Sequence, residues 1–401
     1  MFTSRSIGMI LLALLLFFVA GFTQVGWVRI VDAVLWGMLG LSLLLQWLST
    51  TWTDVKRRIK TVQTSRFGVG PMEGDDVSVD MEVVNQRFWP KFFVSAIFTA
   101  RFTVHDSSTK RFFIANIAGR GTVDITTELK CTRRGSHDFG PVTIESQVPF
   151  GLFRRRKRVA APLSLLVYPH FHEIERLSAL QAARGMSARP QRSRSGFEII
   201  GSRPFQPGDP LKHVHWRNTA RLRQPVVKEL EDQSDRAVAI VFGSETNFGV
   251  GNESTLEYAV KFAATIGAHS LNSGETVQLV AGEAMSDWYS IEPYLRELAL
   301  LKTTSDASLA EQLDRLQPQV GAVVIVSAAD LQGIHALASQ GRQRDGLVSI
   351  VLEGFGALED EVSSAGQLRA AGIPTITCRR GEIEAAFEAL QQPVNAVAAG
   401  A

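Results

Sequence analysis

The chain has 401 residues, 45% of them hydrophobic and 20% charged, with a formal net charge of +2. That length supports two or three domains with a buried core, and the composition excludes a disordered tail, a collagen-like rod and a disulfide-stapled miniprotein. The two cysteines, Cys131 and Cys378, form no CxxC pair; this excludes a cysteine-rich zinc module and suggests reduced thiols in a cytosolic compartment.

Charge is unevenly spread. Residues 150–230 carry a net +11 and residues 231–401 a net −13. Such asymmetry argues for separate domains with electrostatic docking surfaces.

Two apolar runs open the chain, Ile7 to Phe22 and Val28 to Leu48. Roughly 20 residues at 1.5 Å per residue cross the ~30 Å hydrocarbon core, so residues 1–60 read as a transmembrane hairpin of two antiparallel helices. Trp27, Trp47 and Trp52 fall where interfacial rings would lie. Arg5 precedes the first run, and Lys56, Arg57, Arg58 and Lys60 follow the second, which predicts that both ends face the cytoplasm. Asp32, about one turn after Arg29, is expected to pair with it or to sit at the outer interface. A cleaved signal peptide is the alternative for the first run, although Val19-Ala20-Gly21 is a poor cleavage site.

Residues 61–170 lean to period two. Val77-Ser78-Val79-Asp80-Met81-Glu82-Val83 alternates strictly, and further strands are predicted at Ile97–Val104, Phe112–Ile117, Gly121–Leu129, Gly140–Ser146 and Leu165–Tyr168. Short strands at this spacing, separated by turn signals, predict an antiparallel beta-sandwich. Arg154 to Arg158 is a run of five cations. It reads as a solvated hairpin tip or as a contact for anionic lipid or an acidic partner; no aromatic residues interleave it, which argues against nucleic acid.

Residues 171–235 read as a linker followed by an ordered segment. Gln206-Pro207-Gly208-Asp209-Pro210 is a tight turn, His215 to Arg221 a short helix with Trp216 and Ala220 on one face, and Val226-Val227 the start of a strand after Pro225. Asp209 or Glu229 is placed to hold Arg203 or Arg221 in a charge-assisted pair. Trp216 reads more readily as a core anchor than as a ligand platform, and Asp209 as a turn cap or ion-pair partner.

These residues carry a resemblance. Arg203 and Phe205, Gly208 and Asp209, Lys212, Trp216, Ala220 and Arg221, then Val227, Lys228 and Glu229 resemble the signature of a bacterial family known as domain of unknown function number fifty-eight. Arg134-Gly135 through Gly140-Pro141 to Pro149-Phe150-Gly151-Leu152-Phe153 is also similar to that family, with Val148 where an aspartate is usual. The resemblance implies a membrane protein that accompanies a MoxR-type AAA+ ATPase and carries a von Willebrand factor A-like domain. It marks Arg203, Gly208, Asp209, Lys212, Trp216, Arg221, Lys228 and Glu229 as structural or partner-binding residues.

Residues 236–401 alternate apolar strands and amphipathic helices. Strands are predicted at Ala237–Phe242, Val277–Ala281, Ala322–Ser327, Leu347–Leu352 and Thr375–Cys378. Helices are predicted at Ser254–Leu271, Pro293–Lys302, Leu309–Leu316, Leu331–Gln340, Val362–Ala371 and Ile383–Gln391. Repeated strand–helix units predict a doubly wound α/β sheet. Domains of the implied kind often bind a divalent cation through DxSxS after the first strand. Here Ser244 and Thr246 fit the hydroxyl positions only if Phe242 takes the aspartate position, so no bound metal is expected.

No phosphate-binding GxxxxGK[ST], HExxH or GxSxG motif occurs. His170/His172 and His213/His215 lack an evident third ligand and read as ordinary polar or core histidines. The expectation is therefore a non-enzymatic scaffold or adaptor at the inner membrane with its soluble domains in the cytoplasm. It needs no cofactor, and its partners are the lipid bilayer, a MoxR-type AAA+ ATPase and protein clients, not nucleic acid. The alternatives are a metal-dependent ligand receptor and an envelope-biogenesis enzyme.

Overall fold

Helices α1 (Ser4–Thr23) and α2 (Gly26–Thr50) realise the two apolar runs. The computed structural model describes residues 3–392 apart from 24, 61–67, 102–106, 148, 179–191, 194–198, 207–213, 232–236, 244–246, 303–306, 318–319, 342–343, 345 and 357–361. Both helices are long and apolar enough to cross a membrane, and only 17% and 22% of their apolar windows are buried. A core helix of a soluble protein would be mostly buried, so these faces suit lipid. Asp32 is buried, and its Oδ1 has no hydrogen-bond partner among the described residues.

The chain divides into two compact units, Met1–Tyr168 and Pro169–Ala401. After α2, the first unit contains β1 (Thr53–Lys60), β2 (Asp76–Asn85), β3 (Lys91–Arg101), β4 (Ser107–Ile117) and β5 (Thr122–Lys130). It continues with β6 (Gly135–Phe139), β7 (Val142–Ser146), β8 (Arg155–Val159) and β9 (Leu163–Val167). Three antiparallel sheets form, in the orders β1-β2-β5, β4-β3-β7-β8 and β6-β9. The alternation along β2 buries Val77, Val79, Met81 and Val83, which join Val94, Ala96 and Phe98 of β3 and Val142 and Ile144 of β7 in one core. Each fully buried aliphatic or aromatic side chain contributes about 1.5–3 kcal/mol.

Two charged strands escape the periodicity argument. TDVKRRIK and RRKRV form β1 and β8, so most of the run Arg154 to Arg158 is a paired strand and not a hairpin tip. Each is held by its ladder, β1 to β2 and β8 to β7. The Arg57 guanidinium of β1 stacks 5.1 Å from the Phe98 ring and donates to the Gly140 carbonyl. Burial pushes its pKa down.

In the second unit, residues 169–178 run along the α/β layer. The His172 N–H donates to Thr265 Oγ1 at 3.1 Å, the His172 ring stacks on Phe387 at 5.4 Å, and Ser178 Oγ donates to the Gln391 carbonyl at 2.8 Å. A small sheet follows, made of β10 (Arg192–Ser193), β11 (Ile199–Pro204) and β12 (Val226–Glu231) in the order β10-β12-β11, with α3 (Trp216–Leu222) between the last two. The α/β layer begins with β13 (Ala237–Phe242), the hairpin β14 (Gly249–Val250) and β15 (Glu253–Ser254), and α4 (Thr255–Asn272). Then come β16 (Thr276–Ala281), β17 (Ala284–Trp288), α5 (Ile291–Leu300), α6 (Leu309–Arg315), β18 (Gly321–Ser327) and α7 (Leu331–Gln340). The chain closes with β19 (Leu347–Glu353), α8 (Val362–Ala370), β20 (Thr375–Arg379) and α9 (Ile383–Gln391).

The six-stranded sheet runs β17-β16-β13-β18-β19-β20, all parallel except β17. Ala284–Trp288 was not predicted as a strand. It pairs antiparallel with β16 at the sheet edge, where only one neighbour is needed. The central strands β13, β18 and β19 are nearly continuous buried apolar runs, as expected when helices cover both faces.

Candidate functional site

The chain order of the strands reverses between β13 and β18, the first and fourth of the six-stranded sheet. Such a switch point opens a crevice beyond the carboxyl ends of the strands, where ligands of open α/β sheets bind. The crevice here measures about 480 Å³ and is lined by Gly243, Ser308, Leu309, Asp330, Gly333 and their neighbours. Gly243 follows β13 directly, and its N–H donates to the Ile325 carbonyl at 2.8 Å. A Cβ there would meet that oxygen at 3.0 Å and Val326 Cβ at 3.2 Å, so glycine permits the close approach of the strand ends.

Two helices start at the crevice. Ser308 caps α6 in a reciprocal capping box with Glu311. Asp330 caps α7, accepting from the Gly333 N–H at 2.9 Å. Asp330 is therefore engaged as a cap, and the helix starts favour a negatively charged or hydroxyl-bearing group. Phe242 ends β13 and is 3% exposed, so the position a metal-binding carboxylate would take holds a buried ring. Ser244 and Thr246 lie outside the described residues, and among the described residues no cluster of three His, Cys, Asp or Glu could hold an ion.

The signature segment forms a second candidate surface. Gly208, Asp209 and Lys212 lie outside the described residues. Arg203 is near the end of β11, opposite Val227, and its Nη1 donates to the Pro204 carbonyl at 3.1 Å. Lys228 and Glu229 sit on β12 opposite Ser202 and Gly201. His215 Nδ1 accepts from the Asn218 N–H at 3.2 Å and so starts α3. Thr219 Oγ1 accepts from the Val226 N–H at 3.1 Å and ties that helix to β12.

Trp216 is 69% exposed, which corrects the reading of it as a core anchor. Val214, Val226 and Val227 are buried instead. The helix that Trp216 opens has no buried residue, and Arg217, Arg221 and the C-cap Arg223 are exposed as well. Of the histidine pairs, His172 stacks on Phe387 and His215 caps a helix; His213 lies outside the described residues.

Residues 201–353 match the family model described as Protein of unknown function DUF58. The chain carries a DUF58 domain. That match spans the signature segment and the α/β strands as far as the end of β19. No curated protein matches the chain significantly.

Among solved structures, the chain is similar to the Northeast Structural Genomics Consortium target SoR45, at 10% identity over 29% of this chain and 88% of that one (TM-score 0.22). It is also similar to the PilB minor pilin from Streptococcus sanguinis, at 10% identity over 78% of this chain and 93% of that one (TM-score 0.26). A GH20 exo beta-N-acetylglucosaminidase from Vibrio harveyi is 9% identical over 82% of this chain and 76% of that one (TM-score 0.22). At such scores these likenesses carry no argument about this chain.

Proposed function

We propose that the protein is a membrane-anchored scaffold at the inner membrane, and that its DUF58 region docks a MoxR-type AAA+ ATPase on the cytoplasmic side. The observation that carries this reading is the exposed Trp216 on a helix that also exposes Arg217 and Arg221 and is fixed by its own sheet. Tryptophan and arginine dominate the binding energy of protein interfaces, and an isolated domain gains nothing by holding an indole in water. The lateral order β17-β16-β13-β18-β19-β20, with only the edge strand β17 antiparallel, supports a von Willebrand factor A-like assignment for the α/β layer. The net −13 over residues 231–401 gives a basic partner surface a complement.

The test is capture of the MoxR-type ATPase of the same genome by the full chain in detergent. Trp216→Ala and Arg221→Glu are each expected to weaken capture at least tenfold, and rising salt to weaken it further. Capture by both variants as strong as by the wild type would remove the docking surface, and salt-independent capture would remove the electrostatic part.

A further inference from the structure

The turn between β7 and β8 packs on the helical hairpin. Thr3 Oγ1, just before α1, donates to the Leu152 carbonyl, and Gln46 Nε2 of α2 donates to the Phe153 carbonyl. Leu152 and Phe153 share an apolar cluster with Ala13 and Leu39, and Met9, Ile10 and Leu35 pack against it. Gln46 lies four residues before the end of α2, or about 6 Å along the helix axis. The turn therefore reaches the depth where acyl chains give way to headgroups.

The level of that boundary is marked independently. Trp47 meets Trp52 edge-on at 5.2 Å, Trp52 meets Trp89 at 6.3 Å, and the Arg87 guanidinium lies 4.4 Å from the Trp52 ring. Tryptophan beside a cation at a helix end is the signature of a bilayer interface. Lys91, the first residue of β3, donates to the Thr51 carbonyl at 2.6 Å, so the sheet β4-β3-β7-β8 begins at this level.

On the outward face of that sheet lies a cleft of about 420 Å³ lined by Phe93, Ser95, Arg111, Phe113, Glu145 and Gln147, with Pro149 beside them. Phe93 and Phe113 stack at 6.1 Å, and both are more than half exposed. Glu145 is only 2% exposed. It accepts from Arg156 Nε at 2.6 Å and Gln147 Nε2 at 3.0 Å, and pairs with Arg111 at 3.3 Å and Arg154 at 3.8 Å.

Three guanidiniums thus converge on one carboxylate, each with a side chain roughly half exposed. Arg111 and Arg156 alone carry about ten N–H donors against about four lone-pair positions of the Glu145 carboxylate. Glu145 orients the guanidiniums and leaves an excess of positive charge turned to solvent. An anion with several oxygens fits that excess, because paired N–H donors of arginine match phosphate geometry.

We propose that this cleft binds the headgroup of an anionic phospholipid from the leaflet adjoining the open end of the hairpin. The phosphate meets Arg111, Arg154 and Arg156, and Phe93 and Phe113 border the glycerol and upper acyl region. The bilayer is the occupant because the cleft continues the surface that α2, the tryptophans and the inserted turn already present to it. This assignment is independent of the ATPase partnership.

The test uses the full chain in a zwitterionic detergent, titrated with dioctanoyl phosphatidylglycerol, dioctanoyl phosphatidylcholine or inorganic phosphate, with bound ligand read by native mass spectrometry. Binding is expected for phosphatidylglycerol alone. Arg111→Gln, which leaves Glu145 its closest partner Arg156, should weaken it at least tenfold, and so should Phe113→Ser, which leaves every charge in place. Arg296→Gln, an exposed residue of α5 that removes the same charge, should leave binding unchanged. Equal affinity for phosphatidylglycerol in wild type and Arg111→Gln overturns the proposal. Inorganic phosphate binding as well as the lipid, with Phe113→Ser silent, overturns the lipid assignment in favour of a plain anion site.

Discussion

Gly267→Ala tests how the α/β layer is packed. Gly267 lies within α4, and the ring and hydroxyl of Tyr294 on α5 occupy the space a Cβ would need. Tyr294 is fully buried, and its hydroxyl donates to the Ala263 carbonyl at 2.7 Å. In an unpacked helix the substitution would gain about 1 kcal/mol from propensity. Here the overlap must be relieved either by parting the helices or by turning the ring. Parting them loses dispersion contacts of Tyr294, Leu295 and Leu298, all fully buried, and such overpacking costs about 1–3 kcal/mol. Turning the ring strands a buried hydroxyl, at about 1–3 kcal/mol.

Either route outweighs the propensity gain in most of its range, so a net destabilisation of up to about 2 kcal/mol is expected. Hydrogen exchange of the α4 and α5 amides in the full chain reads this locally, as faster opening confined to the helix pair. A double-mutant cycle adds the decisive comparison: Tyr294→Ala should cost less in the Gly267→Ala background than in the wild type. Slower exchange in Gly267→Ala, with additive effects in the cycle, would refute the claim that Tyr294 fills the glycine's space.

Three further outcomes are expected. Burial, with Lys157 nearby, holds the Lys91 amine at about 8 against 10.5 when exposed. The unfolded chain then binds the extra proton between those values, so stability of the first unit should rise with pH from about 8 to 10.5 by up to roughly 3 kcal/mol. Melting curves of Lys91→Met should lack that increment, and a wild type whose stability falls across the window relative to Lys91→Met would contradict the assignment. Burial pushes the thiols of Cys131 and Cys378 up to about 12; iodoacetamide at pH 8 should leave both unmodified in the native chain and label both in denaturant, and rapid native labelling would show the sites to be open. Because Phe242 stands where a carboxylate would ligate, millimolar magnesium should leave the melting temperature unchanged, and a rise of several degrees would revive the metal-dependent receptor.

Legibility followed the range of the interactions involved. The hairpin, the sandwich strands with clean alternation and five of the six strands of the α/β sheet could be read from the residues, because a 3.6- or 2-residue period is written by the chain's nearest neighbours. The short helix at Trp216 was equally legible, since its Pro225 stop is local. The α/β crevice was approached through Phe242, Ser244 and Thr246, with Glu245 and Asp330 weighed beside them and set aside as not restoring a metal-binding pattern. Its Gly243, Ser308 and Asp330 come from three separate turns and have no common spacing.

The sequence by itself determined which segments are apolar, which alternate and where charge accumulates. The tertiary structure alone decided what those segments face. Basic β1 and β8 are strands because β2 and β7 supply their ladders. Arg111, Arg154 and Arg156 become one cluster because Glu145 lies between their strands, and the Leu152–Phe153 turn meets the hairpin through backbone carbonyls that carry no sequence signal. Trp216 is exposed on a helix that buries none of its residues, which its apolar type alone does not foretell. Partners that are neighbours only in space, from about ten to more than a hundred residues apart, leave no local period, so burial and pairing of that kind exist only once the chain has closed on itself.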